Sequence, residues 1–347
     1  HPASGLELAA ERLLARPEWA GLASEQAVYR FAEFHSARPP RGARRYYLDA
    51  APSSDPPRAV TTLDLDLQRF VRRVLEDVRA DHDPAIAMAI VVDVETGDVL
   101  AVDGVAKCDV KAFLPTWHLF TPGSTLKAIV MAIALDEGAV RPGDAFDAHY
   151  GTWTIPGSTR TIDEAEGEKK GFVTAAEGLA FSLNVVLAQI GLRVDDVPFR
   201  ARLTELGYGT APGVALGTER AGYVPPLPWK PAYTHASISF GHEIQVSLWQ
   251  HAASLATILR GGDYRPLRLF CAVEQGDRRW QLPLPEGRPH VFSREACNAV
   301  REMLYMGARI GTGRTLFDPT LTMGTKTGTA EKVPTELCLH VELEHNE

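Results

Sequence analysis

Ser124 opens a serine–x–x–lysine spacing that closes at Lys127. Residues three apart on a helix share one face, about one turn apart. A serine hydroxyl is a poor nucleophile until a base removes its proton. A lysine can serve as that base when burial and neighbouring positive charge lower its pKa. A helix start adds free N–H groups and partial positive charge, both suited to a developing oxyanion. Downstream, Ser182-Leu183-Asn184 offers a hydroxyl for proton relay and an amide for holding a peptide backbone. In Lys326-Thr327-Gly328-Thr329, an extended chain puts Lys326 and Gly328 on one side, Thr327 and Thr329 on the other. Gly328 would let another chain approach closely, and a lysine beside hydroxyls suits a peptide ending in a carboxylate. Each cluster also has an ordinary explanation: an N-capping serine with a surface lysine, a polar helix start, and an edge strand protected by lysine.

The elements that must position these residues are legible from hydropathy patterning. Residues 125–137 are apolar almost all round through Leu126, Ile129, Val130, Ile133 and Leu135, and Gly138 ends the run. A helix of that kind is buried at the centre of its domain, which leaves Lys127 no easy route to solvent. Pro122-Gly123 brings the chain into it through a tight turn. Earlier, Asp64 is placed to N-cap a helix whose Leu67, Phe70, Val71, Val74, Leu75 and Val78 recur at helical spacing. An apolar run over 85–94, a turn at Thr96-Gly97-Asp98 and a return over 99–102 predict a hairpin. Further helices are expected over about 174–181, 184–193, 247–260 and 294–307. The Thr/Gly-rich stretch 323–330 reads as a strand, as does the alternating stretch 336–344. This mixture predicts an α+β fold, a central antiparallel sheet flanked by helices. Residues 1–60 read differently, as a short amphipathic helix over 6–16 followed by a linker punctuated by Pro39-Pro40, Pro52 and Pro56-Pro57. The expected division is an appended segment over 1–60 and one domain over 61–347.

In their order, the three clusters resemble the serine acyltransferases that penicillin inhibits. Ser182 follows Ser124 by 58 residues and Lys326 follows Ser182 by 144. Pro122-Gly123-Ser124-Thr125-Leu126-Lys127 is similar to the family's nucleophile segment, and Thr62-Leu63-Asp64 with Leu67-Gln68 to the helix that opens its domain. The 91–101 hairpin, the 241–262 stretch and Gly311-Thr312-Gly313 extend the likeness to residues 60–335. Gly5-Leu6-Glu7 is similar to the end of the N-terminal module of class B penicillin-binding proteins, which carry a transpeptidase without a glycosyltransferase.

The resemblance implies a peptidoglycan D,D-transpeptidase with Ser124 as nucleophile, Lys127 as its base and Ser182 relaying a proton to the leaving amine. Asn184 would hold the peptide, Lys326, Thr327 and Thr329 would bind the terminal carboxylate, and Gly328 would give close approach. The N–H groups of Ser124 and Thr329 would form the oxyanion hole. The substrate would be a stem peptide ending in D-Ala-D-Ala, β-lactams would acylate Ser124, and neither metal nor organic cofactor would be needed. A cell-wall synthesis complex is the expected partner. The expected place is the extracytoplasmic, periplasmic side of the cell membrane, held by an N-terminal anchor upstream of His1. The family usually continues for several dozen residues past its lysine–threonine–glycine strand, and here Glu347 lies 19 residues past Gly328, so further chain is expected there.

The net charge of −8 speaks against a general nucleic-acid binder, which needs clustered Lys and Arg. Arg41, Arg44 and Arg45 sit among prolines and read as a solvated linker. No run of about 18 apolar residues occurs. Cys108, Cys271, Cys297 and Cys338 fit no disulfide or zinc spacing and are expected to be buried thiols. Cys338 and His340, with His345 nearby, give too few ligands for zinc. His235, His242 and His251 are expected on helix surfaces or loops. Two rivals share the nucleophile. A serine β-lactamase needs a water-activating group, and no glutamate loop of the needed kind lies between 185 and 325. A β-lactam sensor would keep the site and stay acylated.

Overall fold

The computed structural model describes residues 6–14, 57–108, 110, 112–165, 169–214 and 219–330. The strand expected over 336–344, with Cys338, His340 and His345, and the linker at 39–56 lie outside the described residues. Helix α1 is Leu6–Leu14 and strand β1 is Arg58–Thr61. Helix α2, Leu65–His82, starts as expected: Asp64 Oδ1 accepts the N–H groups of Asp66 at 3.0 Å and Leu67 at 2.9 Å. Its buried Val71 and Leu75 pack on Ala101 and Val105. Those residues belong to the hairpin of β2, Ile86–Val92, and β3, Val99–Ala106. Asp93 closes the hairpin turn by accepting the N–H and the hydroxyl of Thr96, both at 2.8 Å.

Strand β1 pairs antiparallel with β4, Phe270–Gln275, which pairs antiparallel with β5, Arg278–Gln281. The hairpin joins this sheet where Asp98 bridges Arg268, through Val99 N–H to Arg268 O at 2.9 Å and a carboxylate–guanidinium pair. Leu13 and Leu14 of α1 pack with Val273, Ala59, Trp280 and Leu282, so the N-terminal helix sits on the same sheet.

Helix α3, Lys127–Asp136, follows a tight turn of 3₁₀ helix at Gly123–Leu126. Every residue from Leu126 to Ala134 is fully buried, which realises the all-round apolar pattern. Around it pack α4, Ala175–Ala180; α5, Asn184–Gly191; α6, Asp196–Glu205; α7, Leu248–Leu259; and α8, Arg294–Arg309. Capping boxes start α4 at Thr174 with Glu177 and α7 at Ser247 with Gln250.

Three expectations need correction. Residues 323–330 are not paired as a strand among the described residues; Thr325 N–H donates to Leu304 O of α8 at 3.0 Å, so this anchor goes to a helix rather than to a ladder. His235 and His251 are core residues, each about 5% exposed: His251 is enclosed with both ring nitrogens partnered, whereas His235 packs edge-on against Phe199 and Trp229 and its Nε2 has no partner among the described residues. Of the three described cysteines only Cys297 is buried, and Cys108 and Cys271 are half-exposed.

Candidate active site

The nucleophile turn is fixed from two sides. Gly123 N–H donates to Gly241 O at 3.1 Å and Thr125 Oγ1 donates to Pro122 O at 2.6 Å. Gly123 has φ +53°, and a Cβ there would lie 2.5 Å from Thr329 O, so only glycine fits. Ser124 is half-buried at the head of the turn, where early helix N–H groups lack intrahelical acceptors. Its hydroxyl has no hydrogen-bond partner among the described residues.

One turn on, Lys127 has no exposed surface. Its Nζ donates to Ser182 O at 2.5 Å, Asn184 Oδ1 at 2.6 Å and, more weakly, Ser182 Oγ at 3.4 Å. These acceptors are neutral dipoles. Burial, and then the charge of Lys326, drive the Lys127 pKa well below the ordinary lysine value; Glu164 opposes them.

Ser182 reaches this position through the end of α4. Leu183 N–H bonds to Gly178 O at 2.8 Å and Ser182 N–H to Leu179 O at 3.1 Å. This is a Schellman cap, with Ser182 at the left-handed position that glycine usually fills. Its φ is +60°. The fold accepts that strain, and the conformation turns both the carbonyl and the hydroxyl of Ser182 onto lysines. The adjoining helix α5 begins at Asn184. Glu164 accepts its N–H at 2.6 Å and that of Val185 at 2.9 Å, while Asn184 Nδ2 donates to Asp163 O at 2.9 Å. A carboxylate across two free N–H groups satisfies the helix start and its dipole.

Lys326 enters from the opposite side. Its Nζ donates to Ser182 Oγ and to Thr327 O, each at 2.7 Å. Burial pushes its pKa down to about 8. Thr327 Oγ1 donates to Thr312 Oγ1 at 2.7 Å, which ties the segment to the 311–313 loop after α8. A Cβ at Gly328 would sit 2.7 Å from Thr125 Cγ2, so the segment lies directly against the nucleophile turn. Thr329 is exposed, its carbonyl beside Gly123.

The structure therefore brings Lys127, Ser182, Asn184 and Lys326 into one hydrogen-bonded cluster, with Ser124, Gly328 and Thr329 along its edge. The Ser182 hydroxyl accepts from two lysines, which leaves its own proton free for donation. The sequence reading missed Glu164 and set His251 on a helix surface or loop. Glu164 is far from Asn184 along the chain and only the fold joins them. His251 could have been flagged by polar Gln250, His251, Ser254 and Thr257 in an otherwise apolar stretch, all of them buried.

The chain belongs to the penicillin-binding-protein transpeptidase family: the family profile, described as penicillin binding protein transpeptidase domain, matches residues 87–337. Among curated proteins it is similar to stage V sporulation protein D of Bacillus subtilis, 26% identical over 82% of this chain and 46% of that protein. It is also similar to the peptidoglycan D,D-transpeptidase FtsI of Escherichia coli K12, 28% identical over 78% of this chain and 45% of that protein. The chain thus spans under half the length of these relatives. Among solved structures, penicillin-binding protein 3 from Mycobacterium tuberculosis, complexed with ampicillin, superposes with a TM-score of 0.72 at 26% identity. That match covers 84% of this chain and 67% of the other.

Proposed function

We propose that this chain is the catalytic part of a class B peptidoglycan D,D-transpeptidase, working through an acyl-enzyme on Ser124. Its substrate is a stem peptide ending in D-Ala-D-Ala. Lys127, neutral when its proton is lost, takes the Ser124 proton as Oγ attacks the carbonyl of the penultimate D-Ala. The tetrahedral oxyanion lies against the N–H groups of Ser124 and Thr329. Ser182 passes a proton to the leaving amine and is reprotonated from its lysine neighbours, and D-Ala departs. An amine from a second stem peptide then attacks the ester, the cross-link forms and Ser124 regains its proton. Asn184 holds the donor peptide. Lys326, Thr327 and Thr329 bind its terminal carboxylate, which is an ammonium-and-hydroxyl task. β-Lactams enter the same path and stop at the ester.

The observation that carries this reading is the convergence of Lys127 and Lys326 on Ser182, with Asn184 accepting from the same Lys127, at the head of the buried helix. The names of the relatives and the ampicillin complex of a neighbour point the same way. A β-lactamase is less well supported, because Glu164, the carboxylate facing Lys127, spends both oxygens on backbone N–H groups. The expected setting is the outer face of the cell membrane, within a cell-wall synthesis complex. The test offers a D-Ala-D-Ala stem peptide with an acceptor amine. Release of D-Ala with a cross-linked product supports the reading; rapid turnover of penicillin without cross-linking would replace it with a β-lactamase.

A further inference from the structure

Beneath the nucleophile turn runs a buried hydrogen-bonded chain that the proposed mechanism does not use. His251 sits on α7, about 5% exposed. Its Nδ1 lies 2.7 Å from Tyr208 Oη, itself 1% exposed, and its Nε2 lies 2.8 Å from Thr125 Oγ1. Thr125 follows Ser124 directly, and its hydroxyl proton is used on Pro122 O. The roles are then forced. Thr125 Oγ1 must accept, so His251 Nε2 carries the hydrogen; Nδ1 must accept, so Tyr208 donates. One neutral tautomer satisfies every group. Burial supports that state by pushing the His251 pKa down to about 4.

The same helix holds the chain leading into the turn. Leu119–Phe120 pairs with Val246–Ser247 at the start of α7, and Phe120 packs edge-on against His251. On the far side, the Thr125 methyl faces Gly328. With its hydroxyl held by His251 and Pro122, Thr125 has one rotamer, and that rotamer sets the gap between the nucleophile turn and the Lys326–Thr329 segment. Ser124 and Thr329, whose N–H groups are assigned to the oxyanion hole, are the chain neighbours of Thr125 and Gly328, the two residues that meet across that gap.

We propose that His251, oriented by Tyr208, is a positioning residue that fixes Thr125 and thereby the spacing of the Ser124 and Thr329 oxyanion donors. The proposal rests on Ser124 being the acyl-accepting residue. Donors aimed at an oxyanion act mainly in the transition state, so disturbing them lowers the acylation rate and leaves initial binding nearly unchanged. A general loss of structure would instead affect binding and folding together.

The test measures penicillin acylation of Ser124 in wild type, Tyr208→Phe and His251→Leu. It separates the first-order acylation rate from the non-covalent binding constant and monitors folding by circular dichroism. Tyr208→Phe removes one oxygen and keeps the ring, so it carries the test if His251→Leu fails to fold. The acylation rate should fall about tenfold or more in each folded variant, with binding changed less than about twofold. The double variant should be no slower than His251→Leu alone, because Tyr208 acts through the imidazole. Unchanged acylation in folded Tyr208→Phe, or a loss lying wholly in binding, overturns the proposal. Nitrogen-15 histidine NMR adds an arm that needs no acylation: wild type should show a neutral His251 with hydrogen on Nε2, and Thr125→Val should shift that signal. Hydrogen on Nδ1 overturns the network by itself. If wild type takes up no penicillin, the Ser124 reading falls, and the NMR arm then decides the network alone.

Discussion

Ser182 occupies a conformation that costs a non-glycine residue about 1 kcal/mol or more, and it holds two lysines there. Strain and function can be separated at this one position. Ser182→Gly and Ser182→Ala both lose the hydroxyl, yet glycine is at ease at φ +60°. Ser182→Gly should therefore be more stable to unfolding than Ser182→Ala by about 1 kcal/mol, while both lose acylation. Equal stabilities in the two variants would remove the strain argument. The two lysines set opposite limbs of the pH profile. Burial and Lys326 depress the Lys127 pKa, so its base form grows as pH rises through that lowered value. Burial lowers the Lys326 pKa to about 8, so in its proposed role carboxylate binding should fade above it. Acylation by a carboxylate-bearing β-lactam should be bell-shaped with its alkaline limb near 8. In Lys326→Arg that limb should disappear, because a guanidinium keeps its proton. An alkaline limb that stays in place would assign it to another group.

At the scale of elements, Glu164 joins a loop to a helix start. Its carboxylate spans the N–H groups of Asn184 and Val185 and raises the Lys127 pKa. Glu164→Gln should lower the acylation rate by loosening Asn184. It should also move the acidic limb to lower pH, since the group that favours charged Lys127 is gone. An acidic limb that moves upward would contradict this. Most of the elements were legible because their signals are local. Asp64 and a helical stripe gave α2, and the all-round apolar run gave α3 with a buried Lys127. The 323–330 segment was misread because strand pairing depends on a partner that local composition does not encode; its anchors are Leu304, Thr312 and Ser182. Ser182, Asn184 and Lys326 could be named from their motifs, but Glu164 could not, since nothing at position 164 tells of the helix start it meets.

Across the whole molecule, α3 packs in the core beneath the nucleophile turn, and α7 reaches that turn through its own buried His251, bonded to Thr125. Enclosure of this histidine makes a prediction about stability. Its folded pKa of about 4 lies below its ordinary 6.5, so the unfolded chain binds the proton first as pH falls. The contribution is fully present above 6.5 and is lost as pH falls toward 4. Between pH 7 and 4.5 it should amount to about 2–3 kcal/mol, read as the difference in urea unfolding between wild type and His251→Leu. Parallel curves for the two proteins over that range would contradict it.

Acylation of Ser124 is measured most directly by intact mass. The purified protein is incubated with a penicillin and weighed over time, beside Ser124→Ala. A single lasting adduct of one penicillin, absent from Ser124→Ala, is the predicted result. A folded wild type that gains no mass, or a Ser124→Ala variant that gains the same adduct, would contradict it.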